Sequence, residues 1–267
     1  MRWGFALVLA LACGCHSVAR GGDDDDVSID ASGAGSADVS VFDPAITNVA
    51  IEIDYETGKA PYTGTIIGFG DTFEPTQTNL DRLFAGKKTL TIPSTLGAME
   101  DIGNVADEEI TIDDIFALAA QHRVTYDTDT RRGYYVIFLG GYFADATGVK
   151  SGVLGISIGN TIAMFKDVID STNVVLAPNV VRYVEQSTLI HELAHSIGLV
   201  DNGVHMAAAH KDAAHGAHCD NQDCVMFWQN DGSGDAAQFA QQKLLTGSSI
   251  LFDANCLADV DALSGGP

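Results

Sequence analysis

Apolar and polar residues alternate along Val49-Ala50-Ile51-Glu52-Ile53-Asp54-Tyr55, the period of a half-buried strand. Asn79 to Phe84 takes helical spacing and is closed by Gly86, and Thr89 to Pro93 reads as a strand. Thr111 to Ala120 predicts a helix, with Thr111 as N-cap and Asp113 and Asp114 in its first turn. Tyr134 to Leu139 is apolar almost without interruption, as in a central strand covered on both faces. Gly152 to Gly159 is a weaker strand pattern interrupted by glycines. The strongest pattern, Leu189-Ile190-His191-Glu192-Leu193-Ala194-His195-Ser196-Ile197-Gly198-Leu199, predicts a helix that begins around Glu185 to Thr188 and stops at Gly198. Strands mixed with helices, then this helix, then a loop-rich C-terminal subdomain, imply an α+β fold built on a mixed twisted sheet.

The last helix carries H-E-x-x-H. Residues i and i+4 lie one turn apart on one face, so His191 and His195 can aim two imidazoles at one point. That geometry suits zinc, and Glu192 stands beside the first ligand, where it can act as a general base on water. The flanking leucines and isoleucines bury the helix nearly all round, so its polar residues need partners or a metal.

Composition narrows the class. The 267 residues carry 14 Lys+Arg against 36 Asp+Glu, a net charge of −22 that repels nucleic acid and anionic lipid, while 46% hydrophobic residues describe a folding chain. Residues 1–15 read as a signal peptide: Met1-Arg2, an apolar run from Phe5 to Ala12, then Cys13 and Cys15. Small residues before these cysteines resemble a bacterial lipoprotein cleavage site, which predicts an exported protein, lipid-anchored at Cys13 or Cys15 on the cell envelope or else secreted. The lipid would be the only link to a membrane. Residues 16–43, rich in Gly, Ser, Ala and Asp, read as a disordered acidic linker, and 44–267 as one domain, expected to be monomeric. In an oxidising compartment Cys219, Cys224 and Cys256 predict one disulfide and a free thiol. Cys219–Cys224 closes the shortest loop; Cys256 with either one is the alternative.

The chain resembles the metzincins, zinc metallopeptidases with H-E-x-x-H-x-x-G-x-x-H (or D) followed by a methionine turn. Gly198 matches the glycine, and Asp201 stands in the register of the third ligand, where the snapalysin group uses Asp. A second likeness is closer: His218-Cys219-x4-Cys224-Val225-Met226 is similar to the H-C-x4-C-x-M segment of archaemetzincins, with Val200 to Ala217 as an inserted loop. This resemblance implies His218 as third zinc ligand, Asp201 as runner-up and Met226 as the methionine turn. Trp228 replaces a tyrosine that reaches the metal in some metzincins, and an indole can do neither of its jobs. Archaemetzincins hold a second, structural zinc on four cysteines. Here a further C-x-x-C pair is missing, so a second zinc would need other ligands, and a disulfide is expected instead. The inserted loop carries His205, His210, Asp212, His215 and His218, and reads either as a solvated loop or as a second metal site, with Asp212 able to orient a ligand imidazole.

These readings converge on an exported zinc metalloendopeptidase with Zn²⁺ as cofactor and a peptide or protein as substrate. Zinc-activated water attacks the peptide bond with Glu192 as general base. The segment Gly152 to Gly159 is the expected edge strand that aligns the substrate. The alternative is a non-catalytic zinc-binding surface module or metal-capturing protein.

Overall fold

Tyr134 to Leu139 sit at the centre of a sheet, each almost wholly buried. The computed structural model describes residues 40–66, 70–84, 86, 88–174, 177, 179–247 and 249–263. In chain order its strands are β1 (Asn48–Tyr55), β2 (Thr65–Ile66), β3 (Gly70–Asp71), β4 (Thr89–Thr91), β5 (Glu100–Asp101), β6 (Glu109–Ile110), β7 (Arg131–Leu139), β8 (Tyr142–Asp145), β9 (Gly148–Lys150), β10 (Gly155–Ile158) and β11 (Thr161–Phe165). The helices are α1 (Glu74–Phe84), α2 (Ile112–His122), α3 (Lys166–Ser171), α4 (Asn179–Ile197), α5 (Ser233–Thr246) and α6 (Ala254–Leu263).

The main sheet is mixed, in the order β10-β11-β7-β1-β4 with β5 also on β1. Its pairs are parallel except β10 with β11. These last two form a hairpin across Gly159 and Asn160, and Gly159 takes the positive φ of 61° that such a tight turn requires. The weak glycine-spaced pattern therefore shortens to β10, an edge strand of the sheet.

Local chemistry sets several boundaries. Thr111 caps α2 in a reciprocal box with Asp114, as its sequence predicts. The helix carrying H-E-x-x-H starts earlier than expected, at Asn179. Val180, Val181 and Val184 are weak helix formers, but all three are buried, and packing overrides the propensity. The C-terminal part is loop-rich only until residue 232; α5 and α6 follow it, and α5 packs on α4. Val41, assigned by composition to the linker, is already buried in the core. The leader with Cys13 and Cys15, and the rest of the linker, lie outside the described residues, and no described helix is long and apolar enough to cross a membrane.

The central helix α4 lies against β10 and β11 and between α1, α3 and α5. Its first half carries a buried ion pair: Lys166 Nζ reaches Glu185 Oε2 at 2.5 Å, and both side chains are almost wholly enclosed. The Tyr62 backbone N–H donates to Glu185 Oε1 at 2.7 Å, and the Tyr62 ring lies 3.3 Å from the ammonium. Burial pushes the Glu185 carboxyl up to about 7 even with Lys166 beside it. Lys166→Met should therefore strand a buried carboxylate and cost about 3–5 kcal/mol at pH 8. A protonated Glu185 needs no cation, so urea unfolding should show a smaller loss at pH 5 than at pH 8; an equal loss at both would contradict this account.

Candidate metal centre

The end of α4 turns by a glycine-dependent lock. Gly198 N–H bonds to the His195 carbonyl and Leu199 N–H to the Ala194 carbonyl, both at 3.0 Å, with Gly198 at φ 98°. A Cβ at Gly198 would stand 2.9 Å from the Asn202 carbonyl oxygen, so no other residue fits there without a shift. Val200 and Asp201 follow at φ 55° and 60°, conformations that L-residues with side chains rarely adopt. This turn carries Asp201 away from the histidines. Its carboxylate lies 3.9 Å from Lys211 Nζ and remains half-exposed. The runner-up third ligand is therefore not among the groups that meet.

His218 is. His195 Nε2 lies 2.9 Å from His191 Nε2 and 3.3 Å from His218 Nε2. The Nδ1–H of His191 donates to the Val225 carbonyl at 2.7 Å, and that of His218 to the His215 carbonyl. A carbonyl only accepts, so both rings carry a proton on Nδ1, and in their neutral form their Nε2 lone pairs point at one another. Such convergence is repulsive until something positive fills it. A tetrahedral zinc with bonds of ~2.0–2.1 Å would set its nitrogens about 3.3 Å apart, and the donor set fits that ion.

The sequence reading missed a fourth group. Asp231, in the short 3₁₀ turn Trp228–Asp231, places Oδ1 2.6 Å from His191 Nε2 and Oδ2 2.9 Å from His218 Nε2. The ligand atoms of His191, His195, His218 and Asp231 all lie within 4.8 Å of one another. Burial opposes a charge on His191, yet the Asp231 carboxylate lifts its pKa to about 9. Burial likewise opposes a charge on Asp231, but His191 and His218 hold it well below the usual carboxylate range. Desolvation and the neighbouring His191 and His218 push half-buried His195 well below its ordinary value. Protons and a metal thus compete for the same nitrogens.

Glu192 faces the same region from the next position of α4. It is buried, and burial raises its carboxyl to about 7 against the pull of His191 and a hydrogen bond to Ser157 on β10. Gly155 on β10 makes room for it, since a Cβ there would come within 3.0 Å of Glu192 Cγ. Met226 is fully buried, and the Val225 carbonyl that orients His191 also accepts from Asn230 Nδ2 at 3.0 Å. Trp228, which cannot ligate, stacks on the His215 ring with centroids 4.0 Å apart, steadying the residue whose carbonyl holds His218.

A second cluster replaces the expected disulfide. Cys219, Cys224 and Cys256 are free buried thiols. Cys224 Sγ is 3.6 Å from Cys256 Sγ, where an S–S bond requires about 2.05 Å. His210 Nδ1 joins them at 3.4 Å from Cys219 Sγ and 4.0 Å from Cys256 Sγ. Tetrahedral zinc bonded to sulfur at about 2.3 Å would separate its sulfurs by about 3.8 Å, so these spacings fit one ion better than a bridge. The carboxylate of buried Asp259 accepts from His210 Nε2–H at 2.7 Å, which leaves Nδ1 to face the sulfurs. Asp253 Oδ2 also approaches Cys219 Sγ at 3.6 Å, and the Asp253 N–H donates to Cys224 Sγ at 3.4 Å. The Cys224 and Cys256 thiols stabilise a thiolate on Cys219, whose pKa falls far below the ordinary value.

The histidine-rich loop is thus divided. His218 joins the first cluster, His210 the second, and His215 pairs with Asp212 at 3.0 Å under Trp228. Asp259, not Asp212, orients a clustered imidazole. His205 belongs to neither cluster. The signal for a thiol–histidine group lay in the parity of the cysteines, three sulfurs needing a fourth donor.

No protein-family model matches the chain, and no curated protein matches it. Among solved structures it is similar to a zinc-dependent peptidase from Methanocorpusculum labreanum (strain Z), at 10% identity and a TM-score of 0.44, over 79% of this chain and 99% of that one.

Two variants separate the clusters. His218→Ala should remove one zinc per chain and Cys256→Ala the other, while Asp201→Ala removes neither, as read by elemental analysis of the purified proteins. Loss of zinc on Asp201→Ala, with His218→Ala unchanged, would reverse the ligand assignment.

Proposed function

We propose that this chain is an exported zinc metallopeptidase of metzincin type that hydrolyses peptide bonds in a peptide or protein substrate. The observation that carries the reading is the convergence of His191, His195 and His218 through bare Nε2 atoms, with the Glu192 carboxylate buried beside them. His191, His195 and His218 would hold the ion. Zinc there supplies Lewis acidity, lowering the pKa of a water toward ~7 and polarising a carbonyl.

The chain's own residues do the rest. Glu192, with its carboxyl lifted to about 7, accepts a proton from the attacking water near neutral pH. The water oxygen bonds to the scissile carbonyl carbon, the C–N bond breaks, and Glu192 returns the proton to the leaving amine nitrogen. Ser157 holds the Glu192 carboxylate, and Gly155 leaves it space. Edge strand β10 is the candidate for pairing with an extended substrate backbone. The group of His210, Cys219, Asp253 and Cys256, whose ligand atoms lie within 4.8 Å of one another and beside which Cys224 stands, would hold a second, structural zinc that ties the inserted loop and α6 to the segment bearing His218. Export and lipid attachment at Cys13 or Cys15 rest on the leader pattern.

One observation favours the non-catalytic alternative: Asp231 stands against the same histidines, where a hydrolytic site keeps an open position. Glu192 separates the two readings, because a purely structural site has no use for that carboxylate. Glu192→Gln should retain both zinc ions and lose about 10²–10⁴-fold in cleavage of an unstructured protein substrate. Equal cleavage by the variant and the wild type would remove the mechanism, and no cleavage by wild-type protein loaded with zinc would favour the metal-binding module.

A further inference from the structure

Asp231 touches the first cluster as a metal ligand would. Both of its carboxylate oxygens engage an imidazole nitrogen, Oδ1 at 2.6 Å from His191 and Oδ2 at 2.9 Å from His218. Oδ1 is buried, with the His191 ring as the polar group against it. His191 and His218 spend their Nδ1–H groups on the Val225 and His215 carbonyls, so in their neutral form they have no proton to give Asp231. With the rings protonated these contacts are ion pairs; with the rings neutral, a buried carboxylate oxygen faces nitrogen lone pairs and is repelled. A cation between them turns the repulsion into coordination.

The turn bearing Asp231 is fastened on both sides. Asn230 Nδ2 donates to the Cys224 and Val225 carbonyls at 3.0 Å, just after the methionine segment. Gly232 bridges to Val153, and the Ser233 N–H donates to the Gly152 carbonyl at 3.2 Å, immediately before β10. Asp231 is therefore held between the His191-orienting loop and the entry to the edge strand, and it is not a wandering surface carboxylate.

We propose that Asp231 is the fourth protein ligand of the histidine site and closes it at rest, so that substrate must displace Asp231 to gain the open position. This rests on the metal-site reading given under Proposed function. It also ties access to β10, because the residue after Asp231 bridges to Val153 beside that strand: a substrate backbone that pairs with β10 would strain the same bridge and draw Asp231 away.

The test uses the full chain as wild type, Asp231→Asn and Asp231→Ala, with circular dichroism to verify the fold. Competition with a chromophoric chelator should show zinc held at least about 10- to 100-fold more weakly at one site in Asp231→Ala. In the cobalt-substituted proteins, azide should alter the visible spectrum of Asp231→Ala and leave the wild type unchanged, since only the variant has an open position. Asp231→Asn keeps the shape without the charge and should fall between them in zinc affinity. Equal zinc affinity in all three proteins, with azide reaching wild-type cobalt, would overturn Asp231 as a ligand and leave the three-histidine reading intact. Absence of any metal bound through His191, His195 and His218 in the wild type would bring down both together.

Discussion

Neighbouring side chains on an extended backbone point in opposite directions, and this chain uses that rule at His218-Cys219. Cys219 is bridged on one side to Lys211 and on the other to Phe227, so the backbone here is strand-like. His218 consequently faces the helix-borne imidazoles while Cys219 faces the thiol cluster. Two groups of candidate metal donors thus share one peptide unit, and whatever fixes one fixes the other. The long insertion after α4 contributes to both: His210 enters the thiol cluster, and the His215 carbonyl sets the tautomer of His218.

The remaining architecture serves to present α4. A helix buried on nearly every side cannot carry Glu185, Gln186, His191 and Glu192 without partners. Each has one: Lys166 for Glu185, Thr76 for Gln186, the Val225 carbonyl for His191 and Ser157 for Glu192. These partners come from α3, α1, the methionine segment and β10, so the helix is registered against four separate parts of the fold. The same burial that makes the partners necessary raises Glu185 and Glu192 to about 7. In Glu185 the effect is structural. In Glu192 it places a carboxylate near the pH at which it can both take and give a proton.

Periodic features were legible from residues alone. The alternation of β1, the apolar run of β7, the capping box of α2 and the glycine that ends α4 all depend on neighbours within one or two turns. The pairing of His191 with His195 was legible for the same reason, and His218 became so through a local likeness of motif. Asp231 and Asp259 were not singled out, and His210 and Cys256 read only as part of a candidate metal-binding loop and as a disulfide partner, because each reaches its cluster through contacts distant in sequence, such as His210 to Asp259. Asp201 misled because its spacing was right while two left-handed residues turned it away. The disulfide misled because counting cysteines in pairs leaves no place for a histidine as the fourth member of the group.

The central claim is that two metal centres are built on adjacent residues, one of nitrogen and oxygen donors and the other mainly of sulfur. Zinc K-edge X-ray absorption on the purified full chain, with zinc counted on the same sample, tests it most directly. The account predicts two zinc ions per chain and two shells in the average environment, nitrogen or oxygen at ~2.0–2.1 Å and sulfur at about 2.3 Å. A single zinc with no sulfur shell, or no zinc after metal-replete refolding, would contradict it.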